Sequence, residues 1–144
     1  MTRKRRGSDV ERFGVSMDAQ LLEQFDELLD QWGYTSRSEA IRDMVRERLV
    51  RRAWEAGEEV VGVIVVLYDH HQRELGDRLT DIQHDDHDLV EATLHIHLDA
   101  DTCLEILAVR GPGPEIQRLA DHLGSLKGVK HHQLATTSTG EGLR

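Results

Sequence analysis

The chain has 144 residues, of which 38% are hydrophobic, 31% charged and 4% aromatic, and its formal net charge is −9. That length suits one medium domain or two small ones, and the apolar content excludes a disordered chain. No apolar run approaches the ~20 residues of a membrane span and no secretory leader pattern is present, so the expectation is a cytosolic protein without a membrane partner. The lone cysteine, Cys103, excludes an intramolecular disulfide and leaves a structural, reactive or metal-bound thiol.

The negative total argues against nucleic acid, whose affinity for proteins comes largely from cations on phosphate. Its distribution reverses that argument. Residues 1–54 carry 11 Lys/Arg against 10 Asp/Glu, the remainder carries 7 against 17, and all nine histidines lie after residue 54. A basic tail, Arg3-Lys4-Arg5-Arg6, stands at one end. The predicted units are therefore 1–54, a linker at 55–59, a second domain at 60–136 and a polar tail at 137–144.

In the first unit Phe13, Val15 and Met17 alternate with Arg12, Gly14 and Ser16, the period-2 pattern of a half-buried strand. Asp18 caps a helix with Leu21, Leu22, Phe25, Leu28, Leu29 and Trp32 at helical spacing, which Gly33 ends. Ser36 and Glu39 form a capping-box pattern before a second helix with Ala40, Ile41, Met44, Val45 and Leu49 on one face. One strand and two short helices leave backbone groups and apolar faces unsatisfied, so two copies are expected to pair their strands in an intertwined dimer. The resulting ribbon fits the DNA major groove, with Arg12 and Ser16 facing the bases and the backbone N–H groups near Arg37 and Ser38 facing phosphate. Over about residues 10–53, including SRSEAIRDMVRERL, the segment resembles the ribbon-helix-helix repressors. Gly14 departs from that pattern, because a base-reading position there usually carries a side chain.

In the second unit Val60 to Leu67 reads as a buried strand and His70 to Ile82 as a helix. Strands Ala92 to Leu98 and Cys103 to Arg110 follow, then a helix opened by Gly111-Pro112-Gly113-Pro114 and a last strand from Val129 to Ala135. The order βαββαβ predicts a ferredoxin-like (ACT-like) domain, so the whole chain is of α+β class. His95 and His97, two apart on a strand, present two imidazoles to one face, and a turn at Asp99-Ala100-Asp101 brings Cys103 back beside them. Such donors favour Zn, Cu or Ni. His84 is the candidate fourth ligand, from its own chain or a neighbouring subunit. His70, His71, His131 and His132 read as surface histidines, with weak metal binding as the alternative.

The stretch LYDHHQRELGDRLTDIQHDDHDLVEATLHIHLDADTCLEI resembles the metal-binding domain of the nickel-responsive ribbon-helix-helix repressors, the NikR family. With the N-terminal match the resemblance covers nearly the whole chain. It implies a homotetramer, a dimer of dimers, with one Ni(II) per subunit in a square-planar site: His95, His97 and Cys103 from one subunit and His84 from another. It further implies DNA operator binding, repression of nickel uptake and a phosphate contact at Arg73. Gln72 stands where a neighbouring basic residue is usual. Glu105, two residues beyond Cys103 on the same strand face, is expected either to support the ligands by hydrogen bonding or to be an exposed strand carboxylate, and His87 to be a flanking or secondary ligand. Asp85 and Asp86 replace histidines frequent in the family. The competing expectations are a ribbon-helix-helix regulator responding to another metal or to an amino acid, and a nickel-storage or delivery protein. A hydrolytic enzyme is disfavoured, since four protein ligands leave no open position for water.

Overall fold

The computed structural model describes residues 10–143, apart from the side chain of Arg73. Contacts separate two units, one ending at Glu47 and taking in Gly142 and Leu143, the other running from Arg48 to Glu141. The division falls inside a helix, ahead of the change in composition near residues 54–59. The reason is that the helix's last turns already serve the second unit: Ala53 and Trp54 pack on its core, and the Trp54 indole donates to the Thr137 carbonyl at 2.8 Å.

The first unit contains α1 (Ala19–Trp32) and the start of α2 (Arg37–Glu55). The Asp18 carboxylate accepts from the N–H groups of Gln20 and Leu21 at 2.9 and 3.4 Å, satisfying two donors that a helix start leaves free. Gly33 ends α1 at φ 76°, a left-handed conformation that costs glycine least, and Tyr34 N–H closes on the Leu29 carbonyl at 2.9 Å. At α2 the Ser36 hydroxyl accepts from Glu39 N–H at 3.2 Å, but the Glu39 carboxylate takes the Thr35 hydroxyl instead of closing the capping box.

The strand expected at Arg12 to Met17 is absent from the chain by itself. A strand exists only through ladder partners, and residues 10–18 pair with none of the described residues. Phe13 and Val15 stand 77% and 58% exposed. On the helices only Leu29 and Ala40 are buried, while Leu21, Leu28, Trp32, Met44, Val45 and Leu49 remain exposed.

The second unit comprises β1 (Glu59–Asp69), α3 (Arg73–Asp85), β2 (Val90–His97), β3 (Thr102–Pro112), α4 (Gly113–Gly124) and β4 (Val129–Thr137). It has the predicted βαββαβ order, folded as a four-stranded antiparallel sheet with spatial order β2-β3-β1-β4. Val60, Ile64 and Val66 of β1 and Leu107 and Val109 of β3 point to one face, where they meet Leu75, Leu79 and Ile82 of α3 and Ile116, Leu119 and Leu123 of α4. Both helices thus close a single aliphatic core.

The helix expected from His70 begins later, at Arg73. Asp69 holds the intervening residues in a turn, its carboxylate accepting from His71 N–H at 2.9 Å, while His70 N–H donates to the Asp101 carbonyl at 2.8 Å. That competition between an aspartate side chain and the helix backbone is why the turn wins.

Candidate metal centre and nucleic-acid interface

Strand register builds the metal centre. Tyr68 of β1, Cys103 of β3 and His97 of β2 lie directly opposite one another in one row, and His95 faces Glu105 in the next. Side chains two apart on a strand share a face, so both rows turn towards the side covered by the helices. Cys103 is fully buried there.

The thiol has two imidazoles at hand. Its Sγ lies 3.3 Å from His97 Nδ1 and 3.3 Å from His70 Nδ1, and the donor atoms of the three residues all lie within 4.8 Å of one another. His95 sits beside them, with its ring centroid 4.7 Å from that of His97 and its Nδ1 3.3 Å from the Tyr68 hydroxyl. Burial above all, then the charges of Glu105 and Cys103, pushes the Tyr68 hydroxyl well above the usual phenol range. It therefore stays a neutral hydroxyl against the imidazole.

Of the predicted ligands, His97 and Cys103 are in contact and His95 adjoins them. His84 is on the last turn of α3, exposed, and outside that cluster. His70 is the residue that sequence reasoning assigned to the surface. Continuing the period-2 face of β1 from Tyr68, which opposes Cys103, leads to His70 and was the available signal. Glu105 is 8% exposed; its carboxylate accepts from Gln83 Nε2 at 2.7 Å, and the Gln83 carbonyl accepts from the Thr93 hydroxyl at 2.8 Å. This chain of bonds links the Cys103 strand to the residue preceding His84. His87 bonds its ring to the His84 carbonyl and pairs with Asp88, and His71 pairs with Asp101. His131 and His132 are exposed on β4, the opposite edge of the sheet from His95 and His97. A buried thiol lined by imidazole nitrogens suits borderline cations such as Ni, Cu and Zn.

In the first unit Arg12, Gly14 and Ser16 are all exposed, and a side chain added at Gly14 would meet nothing within 4 Å. The Arg37 guanidinium forks onto Asp26 at 2.8 and 2.7 Å. That hydrogen bond, reinforced by charge, holds the Asp26 carboxyl below its ordinary value. The N–H groups of Arg37 and Ser38 lie at the very start of α2, where no preceding turn supplies acceptors. The side chain of Arg73 and the tail residues Arg3, Lys4, Arg5 and Arg6 fall outside the described residues.

Two capped helices with exposed apolar side chains, followed by a sheet that gathers histidines around a buried thiol, are features compatible with a class of metal-binding regulators. Residues 11–52 match the model of the ribbon-helix-helix proteins of the copG family, and residues 61–137 match that of the NikR C-terminal nickel-binding domain. The chain belongs to the NikR family, whose members regulate transcription and are not enzymes. A relative from Geotalea uraniireducens named as a nickel-responsive regulator is 55% identical over 133 residues, 92% of this chain and 96% of that protein. Another so named, from Solibacter usitatus, is 50% identical over 138 residues, 95% and 99% of the two chains. The solved structure of the uncharacterised protein TM1266 from Thermotoga maritima matches 56% of this chain at TM-score 0.51 and 11% identity, a likeness of fold alone.

Proposed function

We propose that the protein represses nickel-uptake genes in the cytoplasm as a homotetramer, a dimer of ribbon-helix-helix dimers, with one Ni(II) per subunit. The observation that carries this reading is the meeting of His97 and Cys103, with His95 adjoining, in a chain that also holds a ribbon-helix-helix segment. His95, His97 and Cys103 of one subunit and His84 of another would hold the ion. Nickel, when bound, would favour the thiolate form of Cys103.

The remaining work is done by the chain. Gln83, bonded to Glu105, positions the end of α3 and with it His84. With His84 engaged across subunits, the end of α3 is fixed against the next subunit, which favours arrangements in which both ribbons, and Arg73, reach DNA together. Two strands from residues 12–17 form the ribbon; Arg12 and Ser16 read base edges, while the N–H groups of Arg37 and Ser38 take phosphate. The large apolar side chains left exposed on α1 and α2 support the dimer, since a second copy would cover them.

The test is DNA retention on a nickel-uptake promoter, with and without stoichiometric Ni(II), for wild type and Cys103→Ala. A nickel response of about 100-fold, equivalent to about 2.7 kcal/mol of coupling, is expected in the wild type and should vanish in the variant. An unresponsive wild type removes the sensor reading; an equal response in Cys103→Ala removes the site.

A further inference from the structure

We infer that Arg118 is a positioning residue for His84: it locks the turn at residues 86–89, so the end of α3 stands in place before a metal arrives and nickel has no turn to order there. The inference deepens the proposed reading and rests on it for the role of His84. Its basis is that contacts with α4 and β3, made by groups outside the ligand set, hold this turn.

Asp86 opens the turn and ends α3. Its N–H donates to the Ile82 carbonyl at 3.0 Å, and its own carbonyl accepts from the N–H groups of Leu89 and Val90 at 2.9 and 3.3 Å. Its side chain reaches α4, where Arg118 Nη2 donates to the carboxylate at 3.2 Å. Arg118 itself is exposed, but it stands on a helix whose Ile116, Leu119 and Leu123 are buried in the core, so the anchor is a rigid one. The far end of the turn is fixed as well. Leu89 is buried over Gly111, where an added Cβ would lie 2.5 Å from its Cδ2, and its carbonyl accepts from Arg110 N–H at 2.8 Å.

Charge explains why an arginine is needed. Asp85, Asp86 and Asp88 crowd one short stretch, and their mutual repulsion works to open it. The Asp86 side chain is only 18% exposed, and a carboxylate screened from water and left unpaired is costly. Among the described residues Arg118 is the one arginine or lysine that pairs with any of the three. Gln83, bonded to Glu105, holds the preceding residue of α3 from the sheet side, so His84 lies between two anchors. A ligand whose backbone is held before binding loses less freedom on coordination, and the cost of ordering the turn drops out of the nickel affinity.

The experiment follows amide hydrogen exchange at Leu89, Val90 and Arg110 of the full-length protein, with and without Ni(II), and Ni(II) affinity by competition with a chromophoric chelator. The proteins compared are wild type, Arg118→Gln, Arg118→Lys, Leu89→Ala and His84→Ala. In metal-free wild type the three amides should be protected, and nickel should slow them no more than it slows the core amides of β1. Arg118→Gln should lose about 2–5-fold both in their protection and in Ni(II) affinity, the worth of a largely exposed ion pair. Arg118→Lys should restore most of that loss, and the core amides of β1 should keep their protection in both variants, which shows that the fold is intact and the effect local. Leu89→Ala should cost the turn roughly 30-fold or more in protection, as truncation of a buried leucine does. Turn amides that exchange freely until nickel is added overturn the lock, as does an Arg118→Gln protein that matches wild type in either readout. If instead Ni(II) affinity ignores His84→Ala, the nickel reading fails, while exchange in the metal-free protein still judges the lock.

Discussion

The two units differ in how far one chain completes them. The sheet unit buries Val60, Ile64, Leu79, Leu107, Ile116, Leu119 and Leu123 almost wholly within itself, whereas among its described residues the first unit buries only Leu29 and Ala40 and leaves residues 10–18 without a described strand partner. The contrast teaches that a sequence can carry the pattern of an element that the chain by itself does not form. The alternation Phe13, Val15, Met17 is as regular as any in β1, yet only β1 has neighbours to bond.

Substitutions sharpen the contrast, beginning with the largest effect. Ile116→Ala removes a fully buried side chain and should destabilise the sheet unit by about 2–5 kcal/mol, measured by denaturant unfolding. Val45→Ala, at a position 53% exposed on α2, tests the other unit by sign. Were Val45 to face water in the working protein, alanine would stabilise slightly through its better helix propensity. Covered by a second copy, the lost methyl groups should instead cost about 1–2 kcal/mol, and the cost should shrink as the protein is diluted below its dimerisation range. A small stabilisation at every concentration would break the dimer account.

The sheet unit was the more legible of the two for a physical reason. A β-branched run such as Val60–Leu67 and a helix broken in by Gly113-Pro114 announce themselves locally, and four strands with two helices close one core without outside help. His97 with Cys103 was legible too, because a hairpin brings together residues close in sequence. His70 was not. It stands 33 residues from Cys103, and only the long-range pairing of β1 with β3, extended to Asp69 opposite Thr102, carries it there. The apparent helical start at His70 concealed a turn held by the Asp69 side chain.

Gly14 offers a finer probe of the unfinished unit. It has no positive φ and its surroundings are open, so Gly14→Arg should leave folding unchanged. It should alter which operator bases are preferred, by about 1–3 kcal/mol at the base pair it reaches, since a bidentate arginine on guanine discriminates to that extent. Selection of bound sequences from a random pool would reveal the change. An unaltered preference would mean that residues 12–16 do not face bases.

The smallest expected effect concerns the link between the helices of that unit. Asp26 has its carboxyl lowered from the ordinary 3.8, chiefly by its hydrogen bond to Arg37. A group whose folded value is depressed contributes stability above its unfolded value and loses it as pH falls through the folded one. The wild type should therefore show an acid limb below about pH 4, shallower in Asp26→Asn, while the sheet unit's unfolding stays parallel in the two proteins. Both partners are exposed, so added salt should flatten the difference. If the limb is equally steep in Asp26→Asn at low salt, the α1–α2 fork contributes nothing, and the exposed apolar faces, covered by a second copy, must hold that unit alone.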